Sequence, residues 1–429
     1  MGIFRHQPSD IGLFIKKSLK WASSYDSLCY LDSNGYHDPF GQVNKLIAVG
    51  EKVAFNCTGN QTFSRLQDFL DQHPGHWVPG FLSYDLKNET EDLETRHPDR
   101  LHFPEAYFFL PEHLLLFDDK EVCIRTEADP HTLIATIEGC SSADGDITFA
   151  GEIKQRMDRN EYMKAFNSLQ EHIHRGDIYE VNLCQEFYGE QVQIDPLSVY
   201  TKLNTISPTP FSCYFKYRDR YILSASPERF LIKQGQQLIA QPIKGTAPRS
   251  PDPQEDSLLS KKLRTNGKEI AENMMIVDLV RNDLTRSAAP GTVNTSDLLE
   301  VRSYRQVHQL VSTVLCELRA GVKPAEAIRN TFPAGSMTGA PKISAMQLID
   351  RYENSRRGIY SGAIGYFGPE GDFDFNVVIR TILYNATSGY LSFHTGGAIT
   401  AQAKGEEEYN ECFIKAKAIL ETLSCKCVT

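Results

Sequence analysis

Long hydrophobic runs are missing from this chain of 429 residues. Runs such as Tyr107–Leu110 and Leu114–Phe117 fall far short of the ~20 residues a membrane-spanning helix needs. Basic clusters are missing as well. Lys plus Arg number 45 against 55 for Asp plus Glu, a net charge of −10. No dense Lys/Arg stretch is interleaved with aromatics, which disfavours polynucleotide partners. The ten cysteines lack paired spacing apart from Cys425 and Cys427, so no disulfide framework is implied. The first residues, MGIFRHQPSD, show neither an apolar core nor a small-residue cleavage site. Together these absences predict a chain that is not exported and that keeps reduced thiols in the cytoplasm. Repeats of 20–50 residues and low-complexity tracts are absent too.

What is present suits a large globule, since hydrophobic residues make up 41%, close to the globular average once glycine is added. The most polar connector, Ser141 to Gly151, sets a soft boundary between residues 1–145, an N-terminal part of the same fold, and residues 150–424. It reads equally as a long surface loop. Beyond it, Asp158 and Glu161 have capping-box spacing. Met163, Phe166, Leu169 and Ile173 then recur at helical spacing until Gly176. A strand is expected over Ile178–Phe187, with Glu180, Asn182 and Cys184 on one face and Tyr179, Val181 and Leu183 on the other. Strand-like runs at Tyr360–Phe367, Phe373–Leu383 and Tyr390–His394 are joined by turns too short for parallel crossovers. A last helix spans about Glu406–Leu423. Hairpin-built sheets with helices between them indicate an α+β fold.

Three constellations stand out. In the hairpin from Tyr221 to Arg249, Glu228 and Lys244 are equidistant from residue 236 in the turn. Pairing about that point places acid and amine opposite each other. The pair reads equally as a surface ion pair and as a site at rigid strand ends flanked by Pro227 and Pro242. Second, Glu269 with Glu272, and Glu408 with Glu411, lie three apart on helices. Such pairs are usually solubilising charge, but two of them facing each other suit a hard cation such as Mg²⁺. Third, Phe332-PAGSMTGAPK departs from Walker A spacing, so nucleotide binding through it is disfavoured. As a Gly-rich loop it offers N–H groups to an anion, and Thr395-GGAIT offers a second such cluster. With Arg380, Lys342 and Lys415 these point to a small polyanionic ligand. His308, beside Gln309 in an apolar stretch expected to be helical, reads as a packing residue. No cysteine stands in the Gly-x-Cys-x-Gly-x-Gln context of a glutamine amidotransferase.

The stretches Ser226-PERF, Pro242-IKGTAPR, Ala271-ENMMIVDLVRNDL, Ala334-GSMTGAPK, Arg357-GIYSGAIGYF, Val378-IRT, Thr395-GGA and Glu408-YNECFIKA, in this order, resemble the chorismate-utilising enzymes. That family comprises anthranilate synthase component I, aminodeoxychorismate synthase component I, and the isochorismate and salicylate synthases. The resemblance is strong from about Ile153 to Leu423. It implies two packed antiparallel sheets flanked by helices, binding one chorismate and one Mg²⁺. By the family pattern Glu272 and Glu411 hold the metal with Glu269 and Glu408 in support. Tyr360, Arg380, Lys415, Ser336 and the amides of Gly396 and Gly397 grip the substrate, and Glu228 is the general acid.

Lys244 stands where anthranilate synthases resemble Pro-Ile-Ala-Gly-Thr, so the resemblance implies the aminodeoxychorismate branch, which leads to 4-aminobenzoate and folate. Lys244 would attack ring C2, and ammonia from a separate glutamine amidotransferase would then enter at C4. The rivals are an anthranilate synthase component I and a chorismate-binding scaffold without turnover. An ordinary lysine, with a pKa of ~10.4, is neutral about once in 2500 at pH 7, so this chemistry requires desolvation or a nearby cation. Three positions depart from the family. Glu180 replaces the Lys of isochorismate synthases and the more usual Gln of aminodeoxychorismate synthases. Gln309 replaces a His, and Asp32 in Leu31-DSN replaces the Glu of a tryptophan-binding motif.

Overall fold

A computed structural model describes residues 2–141, 149–425, 427 and 428. Residues 142–148, the middle of the Ser141–Gly151 connector, lie outside the described residues. Within them the chain builds sheets of 13 and 10 strands. Their pairings are antiparallel apart from a short parallel one between Cys427–Val428 and Ile153–Gln155. Alternation decides which core each side chain enters. In strand Ser27–Asp32, Cys29 joins the core between the sheets, whereas Leu28 and Tyr30 join a second core under the helices on the outer face of the larger sheet. Phe81, Phe108, Phe215 and Phe375 also meet in the inter-sheet core, each burial contributing about 1.5–3 kcal/mol. Both sheets draw on both ends of the chain. Ser27–Asp32 pairs with Phe211–Tyr217, and Val78–Leu82 pairs with Ala363–Phe367.

The capping box forms as its spacing predicts: Glu161 N donates to Asp158 and Asp158 N donates to Glu161, starting helix Arg159–Arg175. Gly176 closes it at φ +82°, a conformation glycine adopts without penalty. The turns after Phe367 and Asn385 join antiparallel neighbours.

Three local expectations are corrected. Val307–Glu317, which carries His308 and Gln309, is a strand rather than a helix. The run Phe373–Leu383 is two strands, Phe373–Val377 in the smaller sheet and Thr381–Asn385 in the larger. The chain changes sheet at residues 378–380, where Arg380 takes φ +52°. Finally, Gln234 pairs with Gln237, and the register shifts between Arg229 and Ile232. Glu228 and Lys244 are therefore not cross-strand partners, and strand Ile243–Pro248 pairs with Val307–Glu317 instead.

Arg229, 2% exposed, ties this hairpin to its neighbours. It donates to Asp374 at 2.8 and 2.9 Å, to Gln241 at 2.7 Å, and to Asp38. Arg229→Met strands Asp374 in the core without its counter-charge, for an expected loss of about 3–5 kcal/mol. A lowered denaturant midpoint with unchanged slope checks this; an unchanged midpoint refutes it.

Candidate active site

The site lies where the two sheets meet helices Gly267–Thr285 and Gly405–Leu423. One wall is the start of strand Glu180–Gly189, paired through Glu180 and Val181 with Ala340 and Gly339. A Cβ at Gly339 would stand 2.2 Å from the Glu180 carbonyl oxygen, so only glycine lets the two backbones approach this closely. Asn182 N donates to the Thr338 carbonyl at 2.8 Å. The buried Arg357 donates to the carbonyls of Met337 (2.7 Å) and Asn182 (3.0 Å) and pairs with Glu353, which itself accepts from Cys184 N at 2.8 Å. This network fixes the loop and the strand end as one unit.

Glu228, 4% exposed, precedes strand Arg229–Gln234 and accepts a 2.5 Å hydrogen bond from Ser336 Oγ. Ser336 is thus engaged by the acid. Burial pushes the Glu228 carboxyl up to about 7, against the opposing pull of Ser336 and Lys244. Lys244 lies in strand Ile243–Pro248 of the same, smaller sheet, and its Nζ lies 2.8 Å from Oε1 of Glu180, which the larger sheet supplies. Burial draws the amine down, but Glu180 first, then Glu272 and Glu228, outweigh it and hold Lys244 above the ordinary lysine value. The backbone of Lys244 is pinned by Asn273, whose Nδ2 donates to its carbonyl at 3.2 Å.

The four helix carboxylates converge. A Cβ on Gly397 would meet Glu408 at 2.5 Å and Glu411 at 3.6 Å, and one on Gly245 would meet Glu269 at 2.9 Å. Burial raises Glu269, Glu272 and Glu408, the last to about 7, and neighbouring carboxylates add to each shift. Burial also pushes Glu411 up, but Lys415, 2.6 Å away, together with Lys244 and Lys268 outweighs it and leaves the group low. Among the described residues no three His, Cys, Asp or Glu side chains form a ready metal-ligand group. Glu272 Oε1 is buried without a hydrogen-bond partner, and its nearest cation, Lys268, stands at 3.8 Å.

Arg380 makes no side-chain hydrogen bond or ion pair among the described residues. Burial lowers its pKa, with Tyr360 and Glu411 opposing. A half-buried guanidinium without a carboxylate partner is a ready anion site. Tyr360 is stacked on His394 at 4.9 Å and faces Cys184 Sγ at 3.4 Å. Lys415 donates to the Gly396 carbonyl at 2.7 Å. In strand Tyr390–Ile399, only residues 390–392 pair with Thr381–Asn385, while Gly396 and Gly397 lie in the ladder with Glu180–Gly189. Adjacent residues of an antiparallel ladder aim their N–H groups in opposite directions, so one of these two amides points to the open edge. Lys342, expected to serve an anion, is instead held by Asp283 and the Thr331 carbonyl, both at 2.8 Å.

Sequence reasoning left Glu180 without a role and passed over Asn273 and the Arg357–Glu353 pair. Glu180 and Asn273 meet partners tens of residues away in other elements, and Glu353 and Arg357, though four apart, hold a strand and a loop from distant parts of the chain.

The sequence profile described as chorismate binding enzyme matches residues 27–421. Aminodeoxychorismate synthase component 1 of Escherichia coli is 37% identical over 88% of this chain and 86% of its own length. The aminodeoxychorismate synthase of Streptomyces griseus is 38% identical over 81% of this chain, which spans only half of that protein. Anthranilate synthase component 1 of Thermus thermophilus is 32% identical over 87% of this chain and 84% of its own length. Among solved structures, the menaquinone-specific isochorismate synthase of Escherichia coli superposes with a TM-score of 0.77, at 18% identity, over 98% of this chain and 94% of that one. Anthranilate synthase component I of Streptococcus pneumoniae superposes at 0.75, with 24% identity, over 87% and 91%. The fold is therefore shared across the group, and the chain belongs to the family of chorismate binding enzymes.

Proposed function

We propose that this chain aminates chorismate at C4, forming 4-amino-4-deoxychorismate, with ammonia from a glutamine amidotransferase partner. The observation that carries the reading is a buried amine and a buried protonatable acid, Lys244 and Glu228, close enough to act on each other's charge. Arg380 and Lys415 offer cations to the two substrate carboxylates, and the strand amide at Gly396 or Gly397 offers a further donor.

Lys244 first loses a proton, then its Nζ forms a bond to ring C2 as the two conjugated double bonds of the ring shift and the C4–O bond breaks. Glu228 gives its proton to the departing hydroxyl, which leaves as water. Ammonia then bonds to C4, the two double bonds return, and the C2–N bond breaks to release the lysine as a neutral amine. Glu228 recovers its proton from the new C4 ammonium, and Lys244 regains the one it lost. Chorismate and ammonia go in; the amine and water come out.

The carboxylate group fits Mg²⁺. Its donors are hard oxygens, Glu272 Oε1 has no hydrogen-bond partner, and Mg²⁺ needs only one or two protein carboxylates because it keeps several waters. Glu272 and Glu411 would hold it, with Glu269 and Glu408 beside them. Bound there, the ion supplies positive charge that orients a substrate carboxylate and offsets the acids now holding Lys244 protonated. Glu272→Gln is expected to raise the half-saturating Mg²⁺ concentration at least ~10-fold. An unchanged Mg²⁺ titration of turnover removes Glu272 from the ligand set.

The product separates this reading from anthranilate formation. A lysine adduct at C2 directs nitrogen to C4, whereas direct attack of ammonia at C2 leads to anthranilate. A chromatographic assay that resolves the two products tests it.

A further inference from the structure

Most buried ion pairs of this chain are fully engaged. Arg229 is shared among Asp374, Asp38 and Gln241, and Arg357 among Glu353 and two carbonyls. The pair between Glu180 and Lys244 differs. Glu180 is 1% exposed, one of its oxygens meets Lys244 Nζ at 2.8 Å, and the other, Oε2, is buried without a partner. Buried polar atoms are nearly always satisfied, so an exception requires an explanation. Stability is a poor one, because buried ion pairs often add little over well-packed apolar residues.

The pair also crosses the molecule. Glu180 begins a strand of the larger sheet, whereas Lys244 lies in Ile243–Pro248 of the smaller one. Both ends of the lysine are then fixed. Asn273 holds its backbone carbonyl and is itself held by Ser312 Oγ at 2.6 Å. Glu180 holds the amine tip, and the close approach of Gly339 and the hydrogen bonds of Asn182 and Arg357 fix the strand that bears Glu180. A lysine has four rotatable bonds and otherwise spreads over many rotamers.

We propose that Glu180 is the positioning residue for Lys244, an anchor across the two sheets whose Oε1 holds the amine where it meets substrate. This rests on Lys244 acting as the nucleophile. Anchoring requires a hydrogen-bond acceptor at the right distance, and the negative charge is incidental to it.

Three substitutions test this in the full chain with chorismate, Mg²⁺ and ammonium. Glu180→Gln keeps an acceptor in place and removes the charge that most strongly holds Lys244 protonated, so it should turn over at least as fast as the parent. Glu180→Ala removes it and should lower kcat about 100-fold, the scale of a misplaced reacting group, with the KM for chorismate unchanged. Glu180→Asp keeps the charge but withdraws the oxygen by one methylene, so it too should lose kcat, which serves the test if the alanine variant does not fold. Turnover of Glu180→Ala or Glu180→Asp within twofold of the parent overturns the inference. So does a Gln variant as slow as the Ala variant, since charge rather than anchoring would then act. A Lys244→Ala variant that still aminates chorismate would instead overturn the reading on which the anchor rests.

Discussion

Replacing Lys244 with alanine is expected to lower amination of chorismate at C4 at least ~10³-fold, because the covalent route to C4 disappears with the amine. Lys244→Arg makes the test sharper. Arginine keeps a cation that can meet Glu180, yet it does not give up its proton at any working pH. It should therefore fold like the parent, bind chorismate, and be as inactive as the alanine variant. If Lys244→Arg turns over near the parental rate, Lys244 supplies only charge. The carboxylates around the lysine give this prediction its weight. Glu180, Glu272 and Glu228 hold the amine protonated in spite of its burial, so desolvation alone does not supply the neutral lysine that the chemistry demands. The reacting form is thus a minority form, and the rate follows how often it is populated.

Glu228→Gln carries the second large effect. A general acid typically contributes 10²–10⁴-fold, and Ser336 would still hold the amide in place, so loss of kcat without loss of fold is expected. The pH profile identifies the group. With Glu228 at about 7 and Lys244 above its ordinary value, both are protonated at low pH. As pH rises through about 7 the site loses one proton. The remaining proton sits mostly on Lys244 and, in the minority form that reacts, on Glu228. At saturating Mg²⁺, kcat/KM should therefore rise through about pH 7 and level off. The rising limb should vanish in Glu228→Gln; its persistence would assign that limb to another group. The same shift acts on stability. A carboxyl whose folded pKa is raised favours the folded chain below its unfolded value and loses that contribution as pH rises through about 7.

Much of the fold was legible where the signal is local. The capping box of Asp158 and Glu161, the Gly176 stop and the helix ending at Leu423 all stand close to where their spacing puts them. Legibility failed where one pattern serves two structures. Val307–Glu317 is apolar enough to satisfy either period, and within Phe373–Leu383 the apolar run Val377–Ile379 conceals a change of sheet, where Arg380 takes a left-handed backbone. The hairpin turn was found, but a register shift near Arg229 breaks the symmetry that placed Glu228 opposite Lys244. In the site, residue types and spacing led to both of these residues and to the helix carboxylates. They could not show that Lys342 is taken by Asp283, nor that Lys244 is held by Glu180, since both partners come from distant parts of the chain.

The most direct test of the central claim is the product formed from chorismate, Mg²⁺ and ammonium at mildly alkaline pH, resolved by chromatography. The account predicts 4-amino-4-deoxychorismate, with none in the Lys244→Ala variant. Anthranilate as the product, or undiminished 4-amino-4-deoxychorismate from Lys244→Ala, would contradict it.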